Sequence, residues 1–254
     1  MAQNHQEKLA ALLQLSHELG REDRQMAILG EGNTSGRVDA GTFLIKASGT
    51  RLATLDEADV VQCKFDRLMP LLDKKNLADN EIEAALLASR VDPHAQKPSV
   101  EALFHTYCLT LPEIEFVGHT HAIAVNQILC SPRAREFAVK RIFPDEIVYC
   151  GSAAVFVPYT DPGLRLAQEI QRRTEAFVRR QRQTPRVILI ANHGIITLGR
   201  TAEAVLSAML MAEKTARIWL GAAQLGGPKF LSKQNVQRIA GRSDEHYRRR
   251  ILNV

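Results

Sequence analysis

Four side chains in three distant segments could together hold a divalent cation and move a proton. Gly118-His119-Thr120-His121 closes a run, Glu113 to His121, that reads as a strand. Alternate residues of a strand share a face, so His119 and His121 would present two imidazoles together. His193 stands in Ala191-Asn192-His193-Gly194, just after the apolar run Val187 to Ile190. A histidine leaving a buried strand beside a permissive glycine is well placed to reach a shared cleft. Three histidines with one open position describe a catalytic zinc site better than a structural one, although Mn2+ or Co2+ would also suit the donors. Glu101, in Lys97-Pro98-Ser99-Val100-Glu101, falls in the first turn of an expected helix. There it is either a carboxylate favoured by the helix dipole or a general acid and base beside the metal.

Two polar turns complete the set. Gly32-Asn33-Thr34-Ser35 and Ser48-Gly49-Thr50 offer backbone N–H groups and hydroxyls, and with the helix start at Ser99 they could hold a phosphate or carboxylate. Neither matches a Walker loop or a dinucleotide fingerprint, which disfavours nucleotide and NAD binding.

The elements that must position these groups alternate along the chain. Residues 5–20 predict an amphipathic helix, with Leu9, Leu12, Leu13 and Leu19 on one side and Gly20 as its stop. Gly30 to Gly36 reads as a polar turn, and Thr42 to Ala47 and Asp59 to Phe65 as strands. Glu81 to Ser89 reads as partly helical, and a helix is expected to start with Ser99 as its cap after Pro98. Helical character follows Ala122, two short apolar segments meet at Gly151, and Asp161 to Arg182 predicts a long helix capped by Asp161. Val187 to Ala191 and Ile195 to Leu198 predict strands, and Thr201 to Ala223 a second long helix. Interleaved strands and helices predict one layered α/β or α+β domain over 1–254.

Composition narrows the class. The chain has 254 residues, 45% hydrophobic and 24% charged, which suits a globular core that needs no disulfides. Its four cysteines are far apart and contain no CxxC pair, so reduced thiols in a cytoplasmic protein are expected. The first residues lack the pattern of a secretory leader, and no apolar run approaches the ~20 residues a membrane helix needs. From Pro228 to Val254 seven basic residues face two acidic ones, so this tail alone accounts for the net charge of +5. With aromatics at 6% and no recognition motif, nucleic acid is not an expected partner. The tail is solvated, covers an anionic substrate or packs on a neighbouring subunit.

Taken in order, the segments Gly32-Asn33-Thr34-Ser35, Ser48-Gly49, Pro98-Ser99-Val100-Glu101, His119-Thr120-His121 and Asn192-His193-Gly194 resemble the class II aldolase/adducin family, in its fuculose-phosphate-aldolase-like form. The resemblance implies a three-layer α/β/α domain with a mixed, mostly antiparallel central sheet flanked by helices. It implies a zinc-type site at a subunit interface, usually in a homotetramer, acting on a carbohydrate-like substrate. His119, His121 and His193 would be the metal ligands. Glu101 would bind the metal at rest and exchange the proton in turnover, through a metal-stabilised enediolate. Gly32, Asn33, Ser48, Gly49 and Ser99 would hold the substrate's phosphate or neighbouring oxygens. Val100 stands where sugar-phosphate aldolases tend to carry a second hydroxyl, which removes one phosphate donor. Comparison with the pentulose-phosphate 4-epimerases of the family matches Asp145 and His246 to an aspartate and a histidine of theirs, but not their catalytic tyrosine, which ranks epimerisation below cleavage. In the cleavage reading His246 or Tyr247, from a neighbouring subunit, would exchange the proton at the departing oxygen. The expected activity is that of an aldolase; its alternatives are an epimerase, a decarboxylase or a non-catalytic adducin-like interaction module.

Overall fold

The computed structural model describes residues 2–242. His246 and Tyr247, and with them the Arg248 to Arg250 run of the basic tail, lie outside the described residues.

The chain begins with helix α1 (Ala2–Gly20), followed by strands β1 (Asn33–Arg37), β2 (Thr42–Lys46) and β3 (Val60–Lys64). Three helices come next, α2 (Phe65–Leu68), α3 (Asp79–Ala88) and α4 (Ala102–Thr110), leading to β4 (Phe116–Thr120). Helices α5 (Ile123–Leu129), α6 (Ala134–Val139) and α7 (Pro144–Cys150) connect it to β5 (Val155–Val157). The last third holds α8 (Leu164–Gln181), β6 (Val187–Ile190), β7 (Gly194–Gly199), α9 (Ala202–Gln224) and α10 (Lys233–Ala240).

The strands form one seven-stranded sheet in the order β3-β2-β1-β4-β7-β6-β5. Only β5 and β6 run parallel; the other neighbours are antiparallel. The apolar residues divide between its two faces. On one face Val117, Ile188 and Ile196 pack with Phe104 of α4 and Ile170 and Phe177 of α8. On the other, Leu189 and Ile195 pack with Leu12 and Leu19 of α1, Val125 of α5, Phe137 of α6 and Trp219 of α9. Helices on both sides of a sheet bury both faces, which is why the central strands contain so few exposed positions. The three-layer α/β/α architecture with a mixed, mostly antiparallel sheet is therefore present.

Four local expectations change. The stretch read as the polar turn Gly30 to Gly36 contains β1, a central buried strand. Its hydroxyls are satisfied from both layers: Ser16 Oγ lies 2.6 Å from Thr34 Oγ1, and Ser35 Oγ lies 2.7 Å from His105 Nδ1. Polar residues can occupy a central strand once each finds a partner. The helix expected from Ser99 begins at Ala102; Ser99 to Glu101 form the tight turn before it, closed by the bond from Ala102 N to Ser99 O at 3.0 Å. Asp161 does not cap α8, which starts after Gly163 with no side-chain cap, and its carboxylate instead accepts from Tyr159 at 3.1 Å. The strand predicted over Glu113 to His121 ends at Thr120, so His121 lies just beyond the ladder. By contrast, Thr201 caps α9 as its sequence suggests, accepting from Ala204 N at 3.0 Å. All four cysteines are free, and no helix among the described residues is long and apolar enough to cross a membrane.

Candidate metal centre

The end of β4 and the start of β7 are adjacent in the ladder, with Thr120 opposite Ile195. That adjacency brings His119, His121 and His193 to one end of the sheet. His119 is fully buried, edge-on to Phe104 with ring centroids 5.5 Å apart. Its Nδ1 donates to the Ile195 carbonyl at 3.0 Å. A carbonyl can only accept, so the proton sits on Nδ1 and the lone pair of Nε2 faces the cluster. His121 turns out of the ladder, its backbone N bonding to Met26 O at 3.0 Å, and its Nδ1 faces Glu31 Oε1 at 3.5 Å. His193 sits in the β6–β7 connection after Asn192, which is left-handed with φ 54°. Asn126 Nδ2 holds that connection by donating to the His193 carbonyl at 2.9 Å. Gly194 follows because nothing larger fits: a Cβ there would come within 2.5 Å of Thr120 O and 2.9 Å of His121 Cδ2.

The three rings form a near-equilateral triangle, with centroids 5.0, 5.1 and 5.2 Å apart. Their donor atoms all lie within 4.8 Å of one another. His119 Nε2 and His121 Nε2 are 3.2 Å apart. Glu101, on the turn before α4, points Oε1 at this cluster, 3.5 Å from His119 Nε2 and 3.5 Å from His193 Nε2. Its Oε2 accepts from Asn33 Nδ2, a residue of β1 that lies opposite His119 in the ladder.

Burial sets the protonation. It pushes His119 down to about 4, partly offset by Glu101, so the imidazole is neutral near pH 7. Burial works against the Glu101 carboxylate, but His119 and then the hydrogen bond from His193 outweigh it and hold Glu101 below the ordinary range. His119 Nε2, left with its lone pair because Nδ1 carries the proton, faces His121 Nε2 at 3.2 Å, a separation that a shared proton or a bound cation can hold. Tetrahedral zinc bound at ~2.0–2.1 Å sets ligand-to-ligand edges of about 3.4 Å. The observed separations of 3.2, 3.5 and 3.5 Å bracket that value. Three imidazole nitrogens and one carboxylate oxygen also suit Zn2+, Mn2+ or Co2+, so these residues fit a divalent cation. Asn33 Oδ1 is buried and without a partner among the described residues.

The sequence matches the family described as Class II Aldolase and Adducin N-terminal domain over residues 10–220. The chain belongs to that family. A Bacillus subtilis protein named uncharacterized oxidoreductase YuxG is 30% identical over 189 residues, 71% of this chain and 25% of the relative. The chain thus spans about a quarter of that protein's length. The 3-oxo-tetronate 4-phosphate decarboxylase of Pectobacterium atrosepticum is 26% identical over 190 residues, 74% of this chain and 72% of the relative. The solved structure of an L-fuculose 1-phosphate aldolase superposes with a TM-score of 0.70 at 19% identity, covering 92% of this chain and 94% of that one. At that identity the likeness shows a shared fold.

The class II aldolase fold brings together most of the residues singled out by sequence. Ser48 N donates to Lys97 O at 2.9 Å, and Ala47 bridges to Pro98, so the Ser48-Gly49 turn lies beside the Ser99 turn. Ser99 Oγ accepts from Glu101 N at 3.3 Å, which helps aim the carboxylate. Gly32 packs under His119, where a Cβ would meet the His119 carbonyl at 2.7 Å. Asp145 is not brought to the histidines. It lies in the first turn of α7, on a cavity of about 410 Å³ shared with Lys214 and Lys229. Two neighbours of the centre escaped the sequence reading. Glu31 backs His121, and its signal was an acid inside the Gly30-Glu31-Gly32 turn. Lys46 is buried at the end of β2, and its signal was a lysine closing the otherwise apolar run Phe43-Leu44-Ile45.

Proposed function

We propose that this chain is a divalent-metal-dependent carbon–carbon lyase of the class II aldolase type, acting on a small sugar or sugar phosphate, with zinc as the metal. The observation that carries the reading is the convergence of His119, His121, His193 and Glu101 within 3.2–3.5 Å contacts. A divalent cation held by the three imidazoles supplies Lewis-acid stabilisation of the negative charge that bond cleavage leaves on substrate oxygens. Glu101 moves the proton on or off carbon, from a position fixed by Asn33 Nδ2 and the Ser99 turn. Asn33 Oδ1 accepts a substrate hydroxyl. Gly32, Ser48, Gly49 and Ser99 border the far end of the substrate. His246 or Tyr247 exchanges the proton at the departing oxygen, a role that rests on the family resemblance.

A decarboxylase is the second reading, favoured by the Pectobacterium relative. Loss of carbon dioxide leaves the same charge on the same oxygens, so one site serves either chemistry. We further read the protein as a cytoplasmic homotetramer with sites at subunit interfaces. Support comes from the free cysteines and from Ile28 and Leu29, apolar and 49% and 71% exposed beside Glu31.

The test is a substrate screen of the zinc-loaded enzyme with Glu101→Gln as control. Aldehyde release supports the aldolase and carbon dioxide the decarboxylase; a stereoisomer without fragments points to an epimerase. The variant is expected to lose about 10²–10⁴-fold in turnover while keeping its metal. Full turnover by Glu101→Gln would remove it from proton transfer, and a native protein that binds no metal and turns over nothing would favour the interaction module.

A further inference from the structure

The histidines of the centre are backed differently. Behind His119 stands the Ile195 carbonyl, a neutral acceptor, 3.0 Å from Nδ1. Behind His121 stands a full charge: Glu31 Oε1 lies 3.5 Å from Nδ1, across the ring from the Nε2 that meets His119 at 3.2 Å. The half-buried Glu31 side chain is anchored by its other oxygen, Oε2, which accepts from Ile28 N at 3.0 Å, while Glu31 N donates to Ile28 O at 3.1 Å. This double clasp closes a turn in which Leu29 is left-handed, with φ 57°, a conformation uncommon for a residue with a side chain. The same segment is fastened to the histidine strand on either side of the turn: Met26 O accepts from His121 N at 3.0 Å, and Gly32 lies against the His119 carbonyl. A strained turn persists where its surroundings over-determine it, and this one delivers a carboxylate to a single ring nitrogen.

We propose that Glu31 is a positioning residue for the metal, fixing the His121 ring through Nδ1 and strengthening Nε2 as a ligand. A histidine that binds a cation through one nitrogen offers the other as an N–H donor. A carboxylate accepting there fixes the tautomer and raises the basicity of the ligand nitrogen. Charge points the same way. A divalent cation among neutral imidazoles and the Glu101 carboxylate keeps one positive charge. Glu31 is the remaining carboxylate in contact with these histidines among the described residues. The inference rests on the metal centre of the lyase reading and assigns the group that tunes it. Glu31 acts through His121 and exchanges no proton with substrate.

Zinc affinity, measured by competition with a chromophoric chelator, tests this in wild type, Glu31→Gln and Glu31→Ala. Glu31→Ala is expected to weaken zinc binding about 10–100-fold. Glu31→Gln should lose less, because its amide oxygen still accepts from Nδ1. Urea midpoints of the metal-free proteins are expected to coincide, since the effect belongs to the ligand and not to the fold. Heteronuclear NMR of the zinc-loaded wild type is expected to show the His121 proton on Nδ1, and Glu31→Ala to shift that signal while leaving His119 in place. Zinc held as tightly by Glu31→Ala as by wild type, or a His121 signal indifferent to the substitution, would overturn the proposal and leave the metal reading standing. Metal-free stability falling in step with zinc affinity would overturn it too, making Glu31 a prop of the fold. A wild type that binds no zinc would remove the metal reading and this inference together.

Discussion

Two buried polar clusters lie in this molecule, and they are built on opposite rules. Beneath α7, Arg141 donates to the carbonyls of Lys140, Ala138 and Gly151 and pairs with Glu146 at 3.4 Å, while Glu146 accepts from Ile142 N at 2.8 Å. Donors meet acceptors throughout, and the cluster is closed. At the end of β4 the arrangement is open: imidazole nitrogens crowd together, Asn33 Oδ1 and His105 Nε2 lack partners among the described residues, and a carboxylate waits beside the histidines. An unsatisfied buried polar group costs about 1–3 kcal/mol. A fold that tolerates several in one place keeps them for a ligand, whereas the closed cluster has nothing left to bind.

This contrast can be broken at either side. The largest effect is expected from His119→Ala/His121→Ala: metal content measured by plasma emission should fall from one ion per chain to none, with circular dichroism unchanged. Retained metal would place the ion elsewhere. Next comes Arg141→Met, which strands Glu146 and should lower the unfolding free energy in urea by about 3–5 kcal/mol. Its metal content should stay at wild-type level; loss of metal there would mean that the two clusters are not separate.

The clusters also differ in their response to acid. Burial pushes His119 down to about 4 and His105 to about 3, against 6.5 for an ordinary histidine. Below pH 6.5 the unfolded chain takes up protons that these folded rings refuse. Stability of the metal-free protein should therefore fall with pH from 6.5 toward 4, by about 1.4 kcal/mol per pH unit for each ring. Glu101, held low, extends the loss in more acid solution. Glu146, raised first of all by burial, acts in the opposite sense just above pH 4.5. Urea midpoints measured from pH 7 to 4 check this, and a flat profile would refute the neutral buried rings. The smallest effect concerns neither cluster: Thr201→Ala removes the α9 cap and should cost about 1 kcal/mol without touching metal or turnover.

Sequence made the apolar framework and the histidines legible because each announces itself locally. Val187 to Ile190 and the α9 segment carry their pattern in consecutive residues, and an HxH pair beside a later His-Gly is visible without coordinates. What stayed hidden depended on distant partners. Asn33 to Arg37 looks like a turn until Ser16, His105 and Glu101, from other elements, satisfy its side chains. Lys46 and Glu31 look like surface charges until the turns close over one and His121 reaches the other. The Asp161-Pro162 pair signals a helix cap, but the chain spends the aspartate on Tyr159 and starts the helix later.

Because β1, β4 and β7 stand side by side, the cluster draws one member from each third of the polypeptide: Asn33, His119 and His193. A growing chain on the ribosome that stops short of residue 193 offers only two of the three rings. Capture of an ion by the full triad therefore waits until nearly all of the sheet has been synthesised, and loading follows assembly rather than guiding it.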